Sequence, residues 1–345
     1  MLAYILKRIL LMVPTLLGAL TITFIVIQFV PGGPIEQLLA EQRASQKGDA
    51  GGVYKAGRDS DAKQIAELKK LYGFDKPAPQ RYVEMIGNFL RFDLGTSFLR
   101  NRPVWDLIKE KLPVSISLGL WTFLLSYLIS IPLGVAKAVR EGSRFDTLTS
   151  VLVLIGYAIP GFVLGVLLIV LFAGGAFYEW FPLRGLTSDN WAELSWPGRI
   201  ADYFWHLTLP LICLVIGSFA VVTILTKNTF VEEMRKQYVL VARARGLSQT
   251  RVLYKHIFRN ALIPLVTGFP AAFVGAFFAG SVLIETLFSL DGLGLLSYES
   301  VVRRDYPVVL GSLYLFTLIA LVVKLISDLL YVLVDPRVQF SSVAR

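Results

Sequence analysis

The segment "QYVLVARARGLSQTRVLYKHIFRNALIP", residues 237–264, carries five Arg/Lys side chains and one histidine but no acidic residue. The runs 207–226 and 261–288, which flank and partly overlap it, are apolar enough to cross a bilayer. A basic segment in this setting indicates a membrane protein with a charged loop that meets either anionic lipid or a protein partner. What the loop docks against is therefore the main functional question that the sequence raises.

The composition is that of a membrane protein. Of the 345 residues, 55% are hydrophobic and only 17% are charged, which is far more apolar surface than one soluble core of this size needs. The formal net charge of +9 is therefore interpreted by its location along the chain. It does not indicate a nucleic-acid partner, and we expect none.

Several kinds of site are excluded by residue counts. Cys213 is the single cysteine, so the chain can form neither an internal disulfide nor a thiolate metal cluster. His206 and His256 are the only histidines, which makes a histidine metal site unpromising. The sequence has no G-x-x-x-x-G-K-[ST] loop to cradle nucleotide phosphates. We expect no metal, no bound cofactor, no catalytic residue and no ATP hydrolysis on this chain.

Six runs of roughly 20 apolar residues have the length that crosses about 30 Å of hydrocarbon. They predict an all-α membrane protein with six transmembrane helices. The first run follows Lys7 and Arg8 and could be a secretory signal, but it is too long and "PGGP" is a poor cleavage site. We therefore predict a retained span. The six runs are 9–30, 112–136, 148–172, 207–226, 261–288 and 309–334.

The charges between the runs predict the orientation. With the N-terminus in the cytoplasm, the inner parts hold 15 Arg/Lys against five acidic residues, whereas the outer parts hold 18 of each. An excess of Arg/Lys on the cytoplasmic side is the usual pattern, so both termini are expected there. The inner parts are 1–8, 137–147, 227–260 and 335–345, the last being a cytoplasmic tail.

The predicted organisation is an N-terminal span (1–30), an external small helical domain (31–111) and a core of spans two to six (112–334). Within the external part, 43–61 is rich in Gly, Ala, Ser and alternating charge, so it is expected to be flexible. Two short amphipathic helices are expected after it. Their apolar positions are Ile65, Leu68, Leu71 and Tyr72 in the first, and Val83, Ile86, Phe89 and Leu90 in the second.

The two external helices have two interpretations. They form a cap or a partner-docking surface, or they merely lie on the lipid headgroups.

The cytoplasmic loop 227–260 contains a predicted helix, a tight turn and a second helix. Apolar residues recur at helical spacing at Tyr238, Val241 and Ala242, and again at Tyr254, Ile257, Phe258 and Ala261. Between the two helices, Gly246 can take the left-handed conformation that ends a helix, and Ser248 can cap the next one. The small side chains of Ala242 and Ala244 would let another backbone approach closely. Binding of anionic lipid would explain the charges but not this break and fresh cap.

A family resemblance extends over nearly the whole chain. The loop sequence "ARARGLSQTRVLYKHIFRNALIP" resembles the cytoplasmic loop of ABC importer permeases, in the variant found in dipeptide and oligopeptide permeases. Further stretches are similar to the same family, and "YVLVDPR" is typical of the permease subunit with the large first external loop. These stretches are "LKRILLMVPTLLGALTITFIVIQFVPGGP", "YGFDKP", "RFDLGTS", "LPVSISLGL", "ETLFSLDGLGLL" and "RDYPVVLG".

Among the subtypes, "EGSRFD", "FAGG", "WFPLRGL" and "TKNTFVEEMRKQYV" are most similar to the permease of microcin C and oligopeptide uptake. Two positions of the loop depart from the family pattern. Leu240 stands where the general importer pattern has Glu, and Gln237 precedes Tyr238 where many peptide permeases have an acidic residue. A salt bridge from these two positions to a partner is therefore not expected.

The resemblance implies the ABC importer permease fold in a bacterial inner membrane. It also implies a homologous second permease, two ATPase subunits or one fused ATPase carrying ATP and Mg, a periplasmic substrate-binding protein and a peptide substrate. In that family the loop fits a cleft on the ATPase. The implied coupling residues here are Tyr238, Ala242, Arg243, Ala244, Arg245, Gly246, Leu247 and Ser248.

Other polar residues lie inside the apolar runs. Lys324 and Asp328 are four apart in the last run, and we expect them to form an ion pair on one helix face. A role in proton coupling is the alternative interpretation. Glu285 lies near the outer end of the fifth run, and Gly292 and Gly294 after it allow a tight re-entry or a short gate segment. We expect Glu285, Phe288, Gly292 and Gly294 to have a structural role near the outer gate.

Prolines in or beside runs two to five suit walls that bend around a passage. Scattered polar side chains, namely Tyr157, Thr223 and Thr267, offer few strong contacts to a peptide, so selectivity is expected in the external binding protein. The prolines are Pro132, Pro160, Pro210, Pro264 and Pro270.

The predicted function is that of a peptide importer permease. An importer of nickel, glutathione or another small solute is the alternative within the family. An ion-coupled secondary transporter that uses Lys324 and Asp328, and a structural or lipid-binding membrane protein, are the alternatives outside it.

Overall fold

The computed structural model describes residues 2–30, 74–175, 177–278 and 281–334. Within these ranges the regular structure is helical, and an isolated bridge between Thr96 and Pro103 is the one strand-like pairing. The predicted all-α class is confirmed. The predicted flexible stretch 43–61, the first external helix with Ile65 to Tyr72, and the tail 335–345 lie outside the described residues.

The described helices differ widely in length, from one turn to more than ten turns. A 3₁₀ turn, Trp191–Glu193, precedes the longest of them. In chain order they are α1 (Leu2–Phe29), α2 (Ala78–Phe89), α3 (Val104–Val139), α4 (Arg144–Ala158), α5 (Gly161–Phe172), α6 (Trp196–Met234), α7 (Gln237–Ala244), α8 (Gln249–Ala261), α9 (Ile263–Phe278), α10 (Ser281–Leu287), α11 (Leu293–Val302) and α12 (Tyr306–Val334).

Among the described helices, α1, α3, α6 and α12 are each long and apolar enough to cross a membrane. Two bent pairs, α4 with α5 and α8 with α9, raise the number to six if each pair is one span. The predicted runs 112–136 and 207–226 are the apolar middles of α3 and α6. These helices have 36 and 39 residues and are about 54 and 58 Å long at 1.5 Å per residue, so both extend beyond the hydrocarbon.

The third predicted span, 148–172, is wrong as a single helix. It consists of α4 and α5, which meet at an angle of 91°. The break falls at Ile159 and Pro160, both of which have extended backbone conformations. A proline disfavours helical geometry in the residue before it, and an apolar count cannot detect this effect.

Within the fifth predicted span, 261–288, the structure describes α9 up to Phe278 and α10 from Ser281. At the other end, α8 and α9 form an angle of 48°. Pro264 lies in the first turn of α9, where a helix does not need its N–H group.

The chain divides into two compact units. The first is built mainly of Leu112–Leu295, and the second of the described parts of Leu6–Lys111 together with Leu296–Ile319. In the first unit, α3 and α6 approach closely at Gly134. A Cβ there would lie 2.5 Å from the Thr226 Cβ, so glycine is required. This unit contains the predicted coupling loop, the predicted gate segment and a cavity of about 690 Å³.

The second unit brings together two motifs that lie far apart in the sequence. Asp305 of "RDYPVVLG" is fully buried and accepts hydrogen bonds from Ser97 Oγ at 2.5 Å and from Phe98 N at 3.0 Å. Burial raises the pKa of Asp305 despite these donors. The carboxylate thereby fixes the turn that follows "RFDLG", and the contact accounts for two of the motifs that carry the family resemblance.

The second predicted external helix is present as α2, but its predicted apolar face is partly wrong. Phe89 is buried, whereas Val83 and Leu90 are exposed. The packed face instead includes Tyr82, whose ring contacts Phe24 edge to face and whose hydroxyl lies 2.6 Å from the Thr21 hydroxyl. Helical spacing located the helix but did not fix which side of it packs.

Candidate functional site

The turn between α7 and α8 is a Schellman motif centred on Gly246. Gly246 has a φ of +79°, its N–H donates to Arg243 O at 2.9 Å, and Leu247 N donates to Ala242 O at 3.4 Å. These two bonds satisfy carbonyls at the end of α7 that would otherwise lack partners. Apart from its chain neighbours, no described residue has an atom within 4 Å of the position where a Cβ would stand on Gly246. The requirement for glycine here is therefore conformational, as the sequence predicted.

The start of α8 differs from the prediction in two ways. Ser248 occupies the N-cap position, but its side chain makes no capping hydrogen bond, and its carbonyl accepts from Val252 N at 3.0 Å. Residues Val252–Ile257 are wound as a π-helix. Such segments are rare and are frequent at functional sites. Nothing in the helical spacing of the sequence indicated this winding.

The segment 237–261 is fixed to the core of the first unit. Its inner face forms one apolar cluster with the C-terminal ends of α3 and α6. Val241 and Tyr254 were predicted to lie on the packed apolar faces of the two helices. This prediction is wrong, because the two residues are 51% and 62% exposed. The buried members of the cluster are Val135, Ala138, Phe230, Val239, Ala242, Val252, Ile257 and Ala261.

Tyr238 connects three elements at the base of this segment. Its hydroxyl donates to Glu233 Oε1 at 2.7 Å, and Asn260 Nδ2 donates to the same hydroxyl at 3.3 Å. Lys236 Nζ donates to the other Glu233 oxygen. Burial, reinforced by the bond to Glu233, raises the pKa of Tyr238 to about 12, so the hydroxyl remains a neutral donor at physiological pH. Tyr238 therefore holds α6, α7 and α8 together at this point.

The outer face of the segment is exposed, small and basic. Leu240 is 60% exposed, and Ala244 and Gly246 beside it are also exposed. None of the five basic side chains takes part in an ion pair within the described residues. The five, all exposed, are Arg243, Arg245, Arg251, Lys255 and Arg259. This surface can accept a close-packed partner that carries acidic groups.

A buried charge cluster that sequence reasoning missed lies next to the segment. Lys137 is 1% exposed, and its Nζ lies 3.2 Å from Asp146 Oδ1. Lys227 Nζ lies 2.7 Å from Asp146 Oδ2. Lys137 also donates to Thr149 Oγ1 at 2.9 Å and to Ser150 Oγ at 2.7 Å. The cluster joins the ends of α3 and α6 to the start of α4, which places these three termini at the same end of the unit.

The predicted gate residues form a helix cap. Glu285 is fully buried and its Oε2 accepts from Leu295 N at 2.6 Å, while Ser115 Oγ accepts from Leu293 N at 2.8 Å. Together they satisfy two N–H groups in the first turn of α11. A Cβ on Gly292 would lie 2.6 Å from the Glu285 carboxyl carbon, so only glycine fits beside it.

The turn itself is made differently from the prediction. Ser289 has the positive φ, +49°, whereas Gly292 and Gly294 do not, and Gly294 lies inside α11. Phe288 is buried in the apolar core of the first unit.

The predicted pair Lys324 and Asp328 is present but loose. Lys324 Nζ lies 3.9 Å from Asp328 Oδ1, and the lysine side chain is 67% exposed while the aspartate is 14% exposed. Among the described residues, no group of three or more His, Cys, Asp or Glu side chains could hold a metal ion.

A cavity with a volume of about 690 Å³ lies within the first unit. It is bounded by α3, by the break between α4 and α5, and by α6, α9 and α10. Its wall is mainly apolar, with hydroxyl groups from Thr122, Ser126, Tyr127, Tyr157 and Ser218. Of the polar positions predicted in the spans, Tyr157 lines this cavity, whereas Thr223 and Thr267 are not among the lining residues.

Comparison with known proteins places this arrangement in a family. Residues 130–340, more than half of the chain, match the family described as "Binding-protein-dependent transport system inner membrane component". The chain belongs to this family. It is therefore a membrane permease component of a transport system with several subunits, and the resemblance stated from sequence motifs is confirmed.

Three relatives match over nearly their whole length. The "Peptidoglycan transport system permease protein YejB" of Agrobacterium fabrum (strain C58 / ATCC 33970) is 55% identical, and the alignment covers 98% of each chain. The "Inner membrane ABC transporter permease protein YejB" of Escherichia coli O157:H7 is 50% identical, over 98% of this chain and 99% of the relative. The "Oligopeptide transport system permease protein AppB" of Bacillus subtilis (strain 168) is 35% identical, over 99% of this chain and 100% of the relative.

Proposed function

We propose that this permease is the transmembrane subunit of an ATP-driven, binding-protein-dependent importer of peptides. The family supports the transport mechanism, and the relatives named for oligopeptide and peptidoglycan transport support a substrate that carries a peptide backbone. Nickel, glutathione and other small solutes are the alternative cargoes. The subunit would form half of the translocation pathway.

One observation carries the proposed coupling to ATP. The segment 237–261 has an apolar inner face packed on α3 and α6, and an outer face of exposed basic and small residues. A segment that moves with two membrane helices and also presents a docking surface can transmit the motion of a partner to the membrane domain. The proposed partner at this surface is an ATPase subunit, because the chain has no nucleotide-binding loop of its own.

The complete transporter in this proposal has further parts. A homologous second permease completes the pathway, two ATPase subunits or one fused ATPase bind ATP and Mg, and a periplasmic binding protein delivers the peptide. Both termini of this chain lie in the cytoplasm of a bacterial cell. The Lys137, Asp146 and Lys227 cluster supports this topology, because it places the short loop 140–143 at the same end as the basic segment. The basic segment carries the positive charge expected on the cytoplasmic side, and the stretch 137–147 around the short loop has three Arg/Lys against two acidic residues.

The proposed function is tested with the permease reconstituted in vesicles with its partner subunits and the binding protein. We expect peptide uptake that requires ATP, is abolished by an ATPase subunit unable to hydrolyse it, and is unaffected when the proton gradient is collapsed. Uptake that persists without the ATPase and depends on the proton gradient would instead identify a secondary transporter that uses Lys324 and Asp328. A vesicle that takes up no solute under any condition would contradict both.

The docking surface has its own test. Replacing Arg243 and Arg245 with Gln should weaken the association of the ATPase, and the loss should grow as salt is lowered, because screening already weakens the wild-type contact at high salt. Arg144→Gln is the matched control, since Arg144 is an exposed basic residue on the same side but outside the segment. Equal effects of the control and the double variant would indicate general attraction to lipid or protein surfaces.

A further inference from the structure

Two residues of α3 that line the cavity carry hydroxyl groups without a hydrogen-bond partner in the described residues. The side chains of Thr122 and Ser126 are 4% and 1% exposed, and both residues line the cavity of about 690 Å³. Neither Thr122 Oγ1 nor Ser126 Oγ has a hydrogen-bond partner among the residues that the structure describes. They are thus two buried polar groups, one helical turn apart, on the wall of a mainly apolar space.

Thr223, Ser297 and Ser312 share this state, so it is the position on the cavity wall that distinguishes Thr122 and Ser126. Serine and threonine in helices commonly donate to the carbonyl four residues earlier. Thr208 and Thr226 on α6 both do so, to Phe204 O and Val222 O at 2.7 Å. A buried hydroxyl without a partner is costly, so Thr122 and Ser126 favour a polar group that enters the cavity.

The spacing of the two hydroxyls matches one kind of ligand. Residues four apart on an α-helix are separated along its axis by about 6 Å. In an extended peptide, groups that face the same edge repeat every two residues, or about 6.6–6.8 Å. A hydroxyl can donate to a carbonyl or accept from an N–H, so either edge of a peptide backbone would satisfy both.

We propose that Thr122 and Ser126 bind the backbone of an extended peptide during its passage through the cavity. This inference rests on the proposed function, because it assigns a contact to the peptide of the importer. The remaining wall near them is apolar or aromatic, as with Phe123 and Val221. The contact is therefore made with groups common to all peptides and does not depend on the peptide's side chains. A permease built in this way leaves sequence selectivity to the protein that delivers the substrate.

The test uses Thr122→Val and Ser126→Ala, which remove one hydroxyl each with little change in volume. In the reconstituted importer, the rate of ATP-driven uptake is expected to fall about fivefold for each lost hydroxyl, as for one hydrogen bond. Thr223→Val is the matched control. Its hydroxyl is also fully buried and without a partner in the described residues, but it does not line the cavity, so uptake should be unchanged.

A second measurement separates peptide contact from water binding or a packing effect. A peptide with N-methylated backbone amides should be taken up more slowly than the parent peptide by the wild-type importer, after correction for its affinity for the binding protein. The difference should shrink in the Thr122→Val and Ser126→Ala double variant, as expected for groups that interact directly. An unchanged difference, or equal losses in the Thr223→Val control, would overturn the proposal. Failure of wild-type uptake would overturn the proposed function instead.

Discussion

The Tyr238 hydroxyl donates to Glu233 Oε1 at 2.7 Å and so links the end of a 39-residue membrane helix to the first helix of the basic segment. Asn260, at the other end of the segment, donates to the same hydroxyl. The two ends of the segment are therefore hydrogen-bonded to each other and to α6 at the point where the chain leaves α6. A force applied to its outer face reaches the membrane helix through hydrogen bonds and an apolar cluster, without passing through a flexible linker.

Removing this hydroxyl should loosen the base of the segment. Tyr238→Phe removes one of the side-chain donors to the buried Glu233 carboxylate, and we expect a loss of about 1–2 kcal/mol in local stability. Faster tryptic cleavage after Arg235 and Lys236 in the purified complex is the measurement. Tyr254→Phe is the control because that side chain is 62% exposed. Cleavage of both variants at the wild-type rate would show that the Tyr238 hydroxyl does not stabilise the base of the segment.

The buried charge cluster should be important for stability. Asp146→Asn leaves Lys137, which is 1% exposed, without its carboxylate, and breaking a buried pair from one side costs about 3–5 kcal/mol. We expect a markedly lower thermal unfolding temperature for the purified permease.

The matched control for the cluster is Glu141→Gln. Glu141 pairs with Arg235 at 3.1 Å, but both side chains are exposed, so the change should cost no more than about 1 kcal/mol. Similar unfolding temperatures for the Asp146→Asn and Glu141→Gln variants would mean that the Asp146 cluster contributes no more than a surface pair.

The cap on α11 gives a third prediction. Gly292→Ala would place a methyl group 2.6 Å from the Glu285 carboxyl carbon, so the carboxylate must move away from Leu295 N. We expect faster amide hydrogen exchange in residues 293–295 and lower stability. Gly268→Ala is the control, since no atom lies within 4 Å of its Cβ position. Unchanged exchange in the Gly292 variant would show that the carboxylate does not hold this turn.

Local sequence patterns predicted the parts of this fold that depend on neighbouring residues. The turn at Gly246 follows from a glycine placed after a helical run, and its positive φ was predicted on that basis. A bend at Pro160 was expected, but a break of 91° was not, because the apolar residues on both sides form one uninterrupted run. The proline itself was noted, but the backbone geometry that it imposes outweighs the hydropathy pattern.

The candidate site was predicted less completely, because much of it depends on contacts between distant residues. Asp146 and Lys227 are 81 residues apart, and nothing in either neighbourhood indicates that they meet. Gly292 and Gly294 were predicted to supply the flexibility of the gate turn, yet Ser289 has the positive φ. Gly292 is instead needed for the space beside Glu285, which depends on packing and not on backbone preference.

The central claim is that the segment 237–261 couples ATP hydrolysis to peptide transport through a rigid turn at Gly246. Gly246→Val would strain the left-handed turn by about 1–2 kcal/mol, which is too little to unfold the membrane domain. Gly246→Asn is the control because asparagine tolerates this conformation.

The most direct test is the stimulation of ATP hydrolysis by the peptide-loaded binding protein in the reconstituted complex. We predict that the Gly246→Val permease assembles at wild-type abundance but loses both this stimulation and peptide uptake, whereas Gly246→Asn retains more of each. Wild-type stimulation and uptake in the Gly246→Val complex would contradict the account.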